Sequence, residues 1–328
     1  MTVDAASIGE AATRIAPHVE RTPLLESQPM SARHGASIAI KCEHLQVTGS
    51  FKVRGSANVV HGLSDSDAAR GVATASSGNH GIGVATEAAS RGIAATIFLP
   101  EKVSPSKVAQ IQRLGATIET VPGSDSSVAE AAAREHAEVN DLAYVSPYND
   151  PAIVAGQGTI AKEILEDGPT PDAVVVSVGG GGLISGIGTW IKAHSPTTTV
   201  IGASAVNDRA MAASIAAGRI LPDPPAQPTF SDGTAGGLEE NTVTFDICRD
   251  VVDVWMDMSE AEIAFGVAAM IDDHHQLVEG AAGLALAAAA AHADANPGAR
   301  IVVVSCGANV TAAALGDMLA VAQIERGH

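Results

Sequence analysis

The sequence predicts an α/β protein of two lobes, each a mostly parallel sheet flanked by helices, and three observations carry that expectation. Short runs rich in β-branched residues alternate with helical segments along the chain, the order that parallel sheets require. The 328 residues exceed what one core fills, since single hydrophobic cores stop growing at roughly 250–300 residues. Hydrophobic residues make up 46% and aromatics only 3%, with 33 glycines, which suits close contact of helices with sheets and is unlike a disordered chain.

The opening MTVDAASIGEAATRIAPHVE, with acidic residues and no continuous apolar stretch, reads as an amphipathic helix rather than a signal peptide. Strands are expected at IAIKC (38–42), GVATAS (71–76), AATIFLP (94–100), ATIETV (116–121), AVVVSV (173–178), TVIGAS (199–204) and RIVVVSC (300–306). Helices between them carry their own punctuation. SPSKVAQIQRLG offers Ser104 as N-cap, Pro105 at the first helical position and Gly115 just past the end. DPAIVAGQGTIAKEILEDG repeats the pattern with Asp150, Pro151 and Gly168, although Gly156 and Gly158 each lower helix propensity by roughly 1 kcal/mol. Ser259 and Glu262 form a capping box ahead of Ile263 and Val267. LPDPPAQPTF (221–230) reads as a rigid surface connection.

A net charge of −18 argues against a nucleic-acid partner, because phosphate-binding surfaces are basic. The longest apolar stretch, AAGLALAAAAAHADA, is too weak and short for a bilayer, so no membrane is expected. Cys42, Cys248 and Cys306 are scattered and form neither a disulfide framework nor a metal cluster, which fits a reducing cytoplasm and no metal site.

Two glycine-bearing loops carry the chemistry. Gly179, Gly180, Gly181 and Gly182 follow the AVVVSV strand and open a helix, so successive N–H groups and the positive helix end point to one place. That is a phosphate cradle. The dinucleotide fingerprint fits poorly, since the nearest match ends at Ser185 and Ser204 stands where its ribose-binding acid belongs, and GxxxxGK[ST] is missing. A cofactor monophosphate or mononucleotide remains. SSGNHG (76–81) also follows a strand and opens a helix, where Ser76, Ser77 and Asn79 offer donors to a carboxylate; a plain helix cap is the alternative. His80 alone reads as a hydrogen-bonded structural histidine. Lys52, in GSFKVRG (49–55), becomes a good nucleophile if desolvation or a neighbouring cation lowers its pKa. Arg54 lies nearby but reads as a surface cation.

GSFKVRG, SSGNHG, GGGGLISG and VVSCGANV (303–310) stand in the order and spacing of the fold type II pyridoxal phosphate enzymes, also described as tryptophan synthase β-like. From RTPLL (21–25) onward the chain resembles the serine/threonine dehydratase and serine racemase branch. The resemblance makes Lys52 the Schiff-base lysine, with Phe51 beside it. It implies that Asn79 bonds the cofactor's 3′ oxygen, that Gly179–Gly182 and Leu183 bind its phosphate, and that Cys306 faces the pyridine nitrogen. Ser76, Ser77, Asn79 and His80 would receive the substrate carboxylate. A neutral thiol at the ring nitrogen makes the cofactor a weaker electron sink, which suits elimination over long-lived carbanions.

The resemblance also implies a large lobe from residues 1–69 and 148–328, a small lobe from 70–147 carrying the carboxylate loop, and a homodimer. The expected reaction converts a β-hydroxy amino acid of the L-threonine or L-serine type to a 2-oxo acid and ammonia, with Lys52 moving the α-proton. Two alternatives stay open. One is an amino-acid racemase, with Ser77 as the acid/base on the second face. The other is dehydration of a hydroxyectoine-derived hydroxy amino acid, because GGLEENTVTFDICRDVVD and LVEGAAG (277–283) resemble hydroxyectoine utilisation dehydratases. Glu279 is placed at the cofactor's ring edge, or is an ordinary helix-capping carboxylate. Ser204 and Ala210 replace the carboxylates of the racemases' cation site. Only nineteen residues follow Asn309, too few for a regulatory domain.

Overall fold

A computed structural model describes residues 2–325 except Lys102, Ser104, Ser124, Asp125 and Asp223. Its described strands are β1 (Leu24–Glu26), β2 (Ser37–Lys41), β3 (Val72–Ala75), β4 (Ala95–Pro100), β5 (Thr117–Val121), β6 (Ala143–Tyr144), β7 (Ala173–Ser177), β8 (Thr199–Ala205), β9 (Val254–Met258) and β10 (Arg300–Val304). They form two sheets. The larger runs β1-β2-β10-β7-β8-β9 and the smaller β5-β4-β3-β6; every pairing is parallel except β1 with β2.

Every residue of β7 is buried, and four of the five in β10 are, because helices cover both faces of a parallel sheet. The β-branched runs at 173–178 and 300–306 therefore lie side by side, Val302 opposite Val174. Strands β1, β6 and β9 lack a signal of that kind. Two of them have three residues or fewer, and β9 is an edge strand that keeps Val254 and Asp257 exposed.

The first helix, Ala5–Ile15, buries Ile8, Ala11 and Ile15, and Asp4 caps it by accepting a bond from Ser7 N at 2.8 Å. Helix Pro105–Arg113 begins at the expected proline and Gly115 follows it at φ +85°; Ser104, its expected cap, lies outside the described residues. Asp150 caps helix Pro151–Asp167, and the Ser259 and Glu262 capping box is formed. The described residues of 221–230 form neither helix nor strand.

Gly158 has a packing reason. A Cβ there would lie 2.9 Å from Gly186 O, and one on Gly186 would lie 2.3 Å from Val154 O. Helices Pro151–Asp167 and Gly182–His194 thus touch backbone to backbone, which the propensity cost permits.

Arg54 overturns its sequence reading. It is fully buried, with Nε 2.8 Å from Glu43 Oε2 and Nη1 2.7 Å from Glu163 Oε1. A guanidinium hidden from water needs charge and hydrogen-bond partners, and two carboxylates plus Thr159 Oγ1 supply them.

Candidate active site

Both glycine loops follow the carboxyl ends of parallel strands, where open α/β sheets place their ligands. Gly179–Gly181 leave β7 and its extension, and Ser76–Gly78 leave β3. Between them lies a cavity of about 1110 Å³. Its wall contains Phe51, Lys52, Ser76, Ser77, Asn79 and His80 from the first part of the chain, and Gly179 to Leu183, Glu279 and Cys306 from the second.

Backbone bonds lock these loops together. Phe51 N donates to Cys306 O at 3.0 Å, Ala308 N to Gly49 O at 2.8 Å and Glu279 N to Gly307 O at 3.0 Å. Lys52 then begins helix Lys52–Gly62, whose close neighbour is helix Asn79–Arg91. Gly83 allows that approach, since a Cβ there would stand 2.9 Å from Ser56 Oγ.

Lys52 is half-buried and faces the cavity, with Nζ donating to Pro147 O at 2.8 Å. Desolvation lowers its pKa to about 8, against the opposing pull of Glu279 and Glu130. Arg54, turned toward Glu43 and Glu163, is not the cause.

The glycines at 179–182 form the turn into helix Gly182–His194, whose first N–H groups have no intrahelical acceptor. Gly181 sits at φ +84°. A Cβ on Gly179 would meet Thr234 O at 2.7 Å, and one on Gly180 the Tyr148 ring at 2.4 Å, so the loop cannot carry larger side chains.

Glu279 stands at the N-cap position of helix Gly280–Ala295 without making a side-chain cap, which removes the capping alternative. Its carboxylate accepts from Asn79 Nδ2 at 2.9 and 3.0 Å, and burial raises its pKa to about 7. Asn309 Nδ2 donates to Asn79 Oδ1 at 2.7 Å, so both ends of the Asn79 amide are engaged. Cys306 is buried beside Ser177, whose Oγ donates to its Sγ at 3.6 Å; desolvation pushes the thiol well above its ordinary range and keeps it neutral. His80 is buried, bonds Val145 O at 3.0 Å, and is held down to about 3 by desolvation and then by Lys52. Ser76 Oγ accepts from Gly78 N at 3.2 Å.

Sequence reasoning missed part of this wall. Tyr148 packs on the glycine loop and its hydroxyl accepts from Glu239 N at 2.9 Å. Glu239 in turn bonds Arg134 at 2.7 Å and Asn149 at 2.8 Å. No local pattern reveals these residues; only the fold brings 134, 148 and 239 together.

The donor set fits a phosphorylated aldehyde. A glycine turn at a helix N-terminus suits a phosphate, an amine of lowered pKa suits covalent capture of a carbonyl, and a neutral buried thiol suits an uncharged ring nitrogen.

Residues 15–307 match the family model described as pyridoxal-phosphate dependent enzyme. The chain is 39% identical over 292 residues to an L-threonine ammonia-lyase of Thermotoga maritima, covering 89% of this chain and 72% of that protein. Among solved structures, maize serine racemase superposes with a TM-score of 0.89 at 32% identity over all of both chains. Threonine deaminase isoform 2 of Solanum lycopersicum, in its processed form, gives 0.91 at 30% identity, covering 98% of this chain and 90% of that one.

Proposed function

This chain belongs to the pyridoxal-phosphate dependent enzymes, and we propose that within them it converts a β-hydroxy amino acid of the L-threonine or L-serine type to a 2-oxo acid and ammonia. The observation that carries the reading is Lys52, an amine of lowered pKa set in a cavity wall with the glycine cradle. Similarity to the ammonia-lyase and deaminase supports it.

Lys52 would hold the cofactor covalently, Gly179–Gly182 and Leu183 its phosphate, and Phe51, Asn79, Glu279 and Cys306 its ring. Bound there, pyridoxal phosphate supplies an electron sink for the substrate's α-carbon. Lys52 Nζ, whose ammonium form burial disfavours, would accept the α-proton, and Pro147 O orients that nitrogen in the cofactor-free protein. Ser76, Ser77 and Asn79, at a helix N-terminus, receive the substrate carboxylate, with His80 fixed behind them by Val145. A neutral Cys306 thiol would give the cofactor's ring nitrogen no charged partner, which would favour elimination of the β-hydroxyl over a long-lived carbanion.

Racemisation is the second reading. It is favoured by the presence of Ser77 in the same cavity wall as Lys52 and by the likeness to maize serine racemase.

The architecture we propose has a small lobe at 70–147 and a large lobe from both chain ends; all four strands of the smaller sheet lie within 72–144. A cytoplasmic homodimer completes the proposal. Three free buried thiols accord with a reducing compartment, and light scattering tests the dimer.

The deciding assay supplies the purified enzyme and pyridoxal phosphate with L-threonine and L-serine, then measures 2-oxo acid, ammonia and optical purity. Ammonia with oxo acid supports elimination, loss of optical activity alone supports racemisation, and failure of every β-hydroxy amino acid to yield either defeats the reading.

A further inference from the structure

Away from the cavity, His18, His61 and Glu87 converge from three separate segments. They are the turn after helix Ala5–Ile15, the last turn of helix Lys52–Gly62 and the middle of helix Asn79–Arg91. The two imidazoles stack with ring centroids 3.5 Å apart and planes 7° from parallel. His61 Nε2 lies 2.9 Å from Glu87 Oε2, and Ser90 Oγ stands 3.3 Å from the former and 3.5 Å from the latter. One ligand atom from each of the three residues lies within 4.8 Å of the other two.

Glu87 makes this more than a chance meeting. It is only 2% exposed, and carboxylates are rarely buried to that degree without compensation. Its described hydrogen-bond partners are an imidazole and a hydroxyl. The nearby Arg91 guanidinium is turned to the carbonyls of Val60 and Leu63. Desolvation raises Glu87 to about 7, and desolvation, His18 and Arg91 hold His61 down to about 4, so at neutral pH the imidazole is uncharged and a metal ion would displace the proton it shares with Glu87.

We propose that His18, His61 and Glu87 form a binding site for a borderline transition-metal dication, with Zn²⁺ the best fit and the fourth position open to water. Two imidazoles and a carboxylate are a ligand set zinc accepts, whereas Mg²⁺ and Ca²⁺ prefer oxygen ligands. Ligand atoms about 2.0–2.2 Å from a tetrahedral zinc lie about 3.3–3.5 Å apart. The His61 Nε2 and Glu87 Oε2 atoms, now 2.9 Å apart, would therefore part by about half an ångström, while the His18 atom closes by up to about 1.5 Å as the stacked rings splay. His18, on a turn and half-buried, is free to make that adjustment.

A bound ion would tie three segments together at the far end of the Lys52 helix, about 14 Å from Lys52 along nine residues of helical rise. Its role is to fix the angle between helices Lys52–Gly62 and Asn79–Arg91, which carry Lys52 and Asn79 at their other ends. The site stands whatever reaction the cavity performs.

The test uses holoenzyme freed of metal by a chelator, titrated with Zn²⁺ by calorimetry and with Co²⁺ by visible absorption, for wild type, His18→Ala and Glu87→Gln. One Zn²⁺ per chain is expected, with a rise in Tm and a tetrahedral Co²⁺ spectrum. Each substitution should weaken Zn²⁺ binding by about 100-fold or more and abolish that spectrum. No stoichiometric binding to wild type overturns the proposal, as does either variant binding as tightly as wild type. Because His18 lies on a half-buried turn, His18→Ala decides the matter even if Glu87→Gln does not fold.

Discussion

Asn79 Nδ2 donates to both carboxylate oxygens of Glu279, at 2.9 and 3.0 Å, across 200 residues of sequence. The bond joins the helix that leaves β3 of the smaller sheet to the helix that packs beneath the larger one. Asn79→Ala would leave a buried carboxylate short of donors, at a cost of about 1–3 kcal/mol. The expected result is a drop in kcat/KM of about tenfold to a hundredfold with the circular dichroism spectrum unchanged.

Glu279 itself should mark the pH dependence of stability. A carboxyl whose folded pKa is raised, here to about 7 by desolvation, holds its proton more tightly folded than unfolded. Its stabilising share is complete below the unfolded pKa and is lost as pH rises through about 7. Glu87, also raised to about 7, adds a slope of the same sign that remains in a Glu279 variant. Urea midpoints compared between about pH 5 and pH 8 should therefore fall more in wild type than in Glu279→Gln.

Lys52 gives a kinetic signature. In the cofactor-free protein its amine is neutral above about pH 8 rather than near the ordinary lysine value, because burial disfavours the ammonium. The rate of pyridoxal phosphate uptake, followed by absorbance, should rise with pH through a midpoint near 8. Lys52→Ala should show no covalent uptake and no turnover, and a midpoint above about 10 would refute the desolvated amine.

Gly180→Ala tests the cradle. Its Cβ would stand 2.4 Å from the root of the Tyr148 ring, which is itself held by the Glu239 N–H. The ring or the loop must shift, and overpacking of this kind costs about 1–3 kcal/mol. Equilibrium dialysis should show pyridoxal phosphate affinity reduced by about tenfold or more, while Tyr148→Ala combined with Gly180→Ala recovers part of it.

How much of this was legible follows from what each residue answers to. Gly179–Gly182 stand in one contiguous stretch that by itself suggests a phosphate, whereas Lys52 gains its role only from the resemblance that GSFKVRG, SSGNHG, GGGGLISG and VVSCGANV carry together. The long buried strands announce themselves because a parallel sheet covered on both faces demands unbroken β-branched runs. Strands β1, β6 and β9 do not, being short or half-exposed. Gly158 looked like a defect in a helix until Gly186 appeared against it, since a backbone contact between helices leaves no periodic trace. Tyr148, Glu239 and the His18, His61 and Glu87 cluster depend wholly on tertiary neighbours. Arg54 misled for the same reason: its partners Glu43 and Glu163 are remote in sequence, so nothing local distinguishes it from a solvated arginine.

Arg54 is accordingly a residue whose loss the fold should feel strongly. Its guanidinium bonds both oxygens of Glu43 at 2.8 Å and both oxygens of Glu163 at 2.7 and 2.8 Å, while Lys41 reaches Glu163 at 2.5 Å. Burial alone would raise the Glu43 pKa, but Arg54 and Thr22 more than offset it and the net shift is downward. A carboxylate depressed in this way stabilises the fold above its unfolded pKa, and that share is lost as pH falls through the folded value. Arg54→Met keeps the volume and removes the charge, leaving Glu43 buried without its cation at a cost of about 3–5 kcal/mol. The depressed pKa then becomes a raised one, so the pH dependence reverses sign at this site. Urea denaturation should show the variant less stable than wild type at neutral pH and the gap narrowing as the buffer is acidified toward about pH 5; a gap that stays constant would mean that shape, not charge, is what Arg54 supplies.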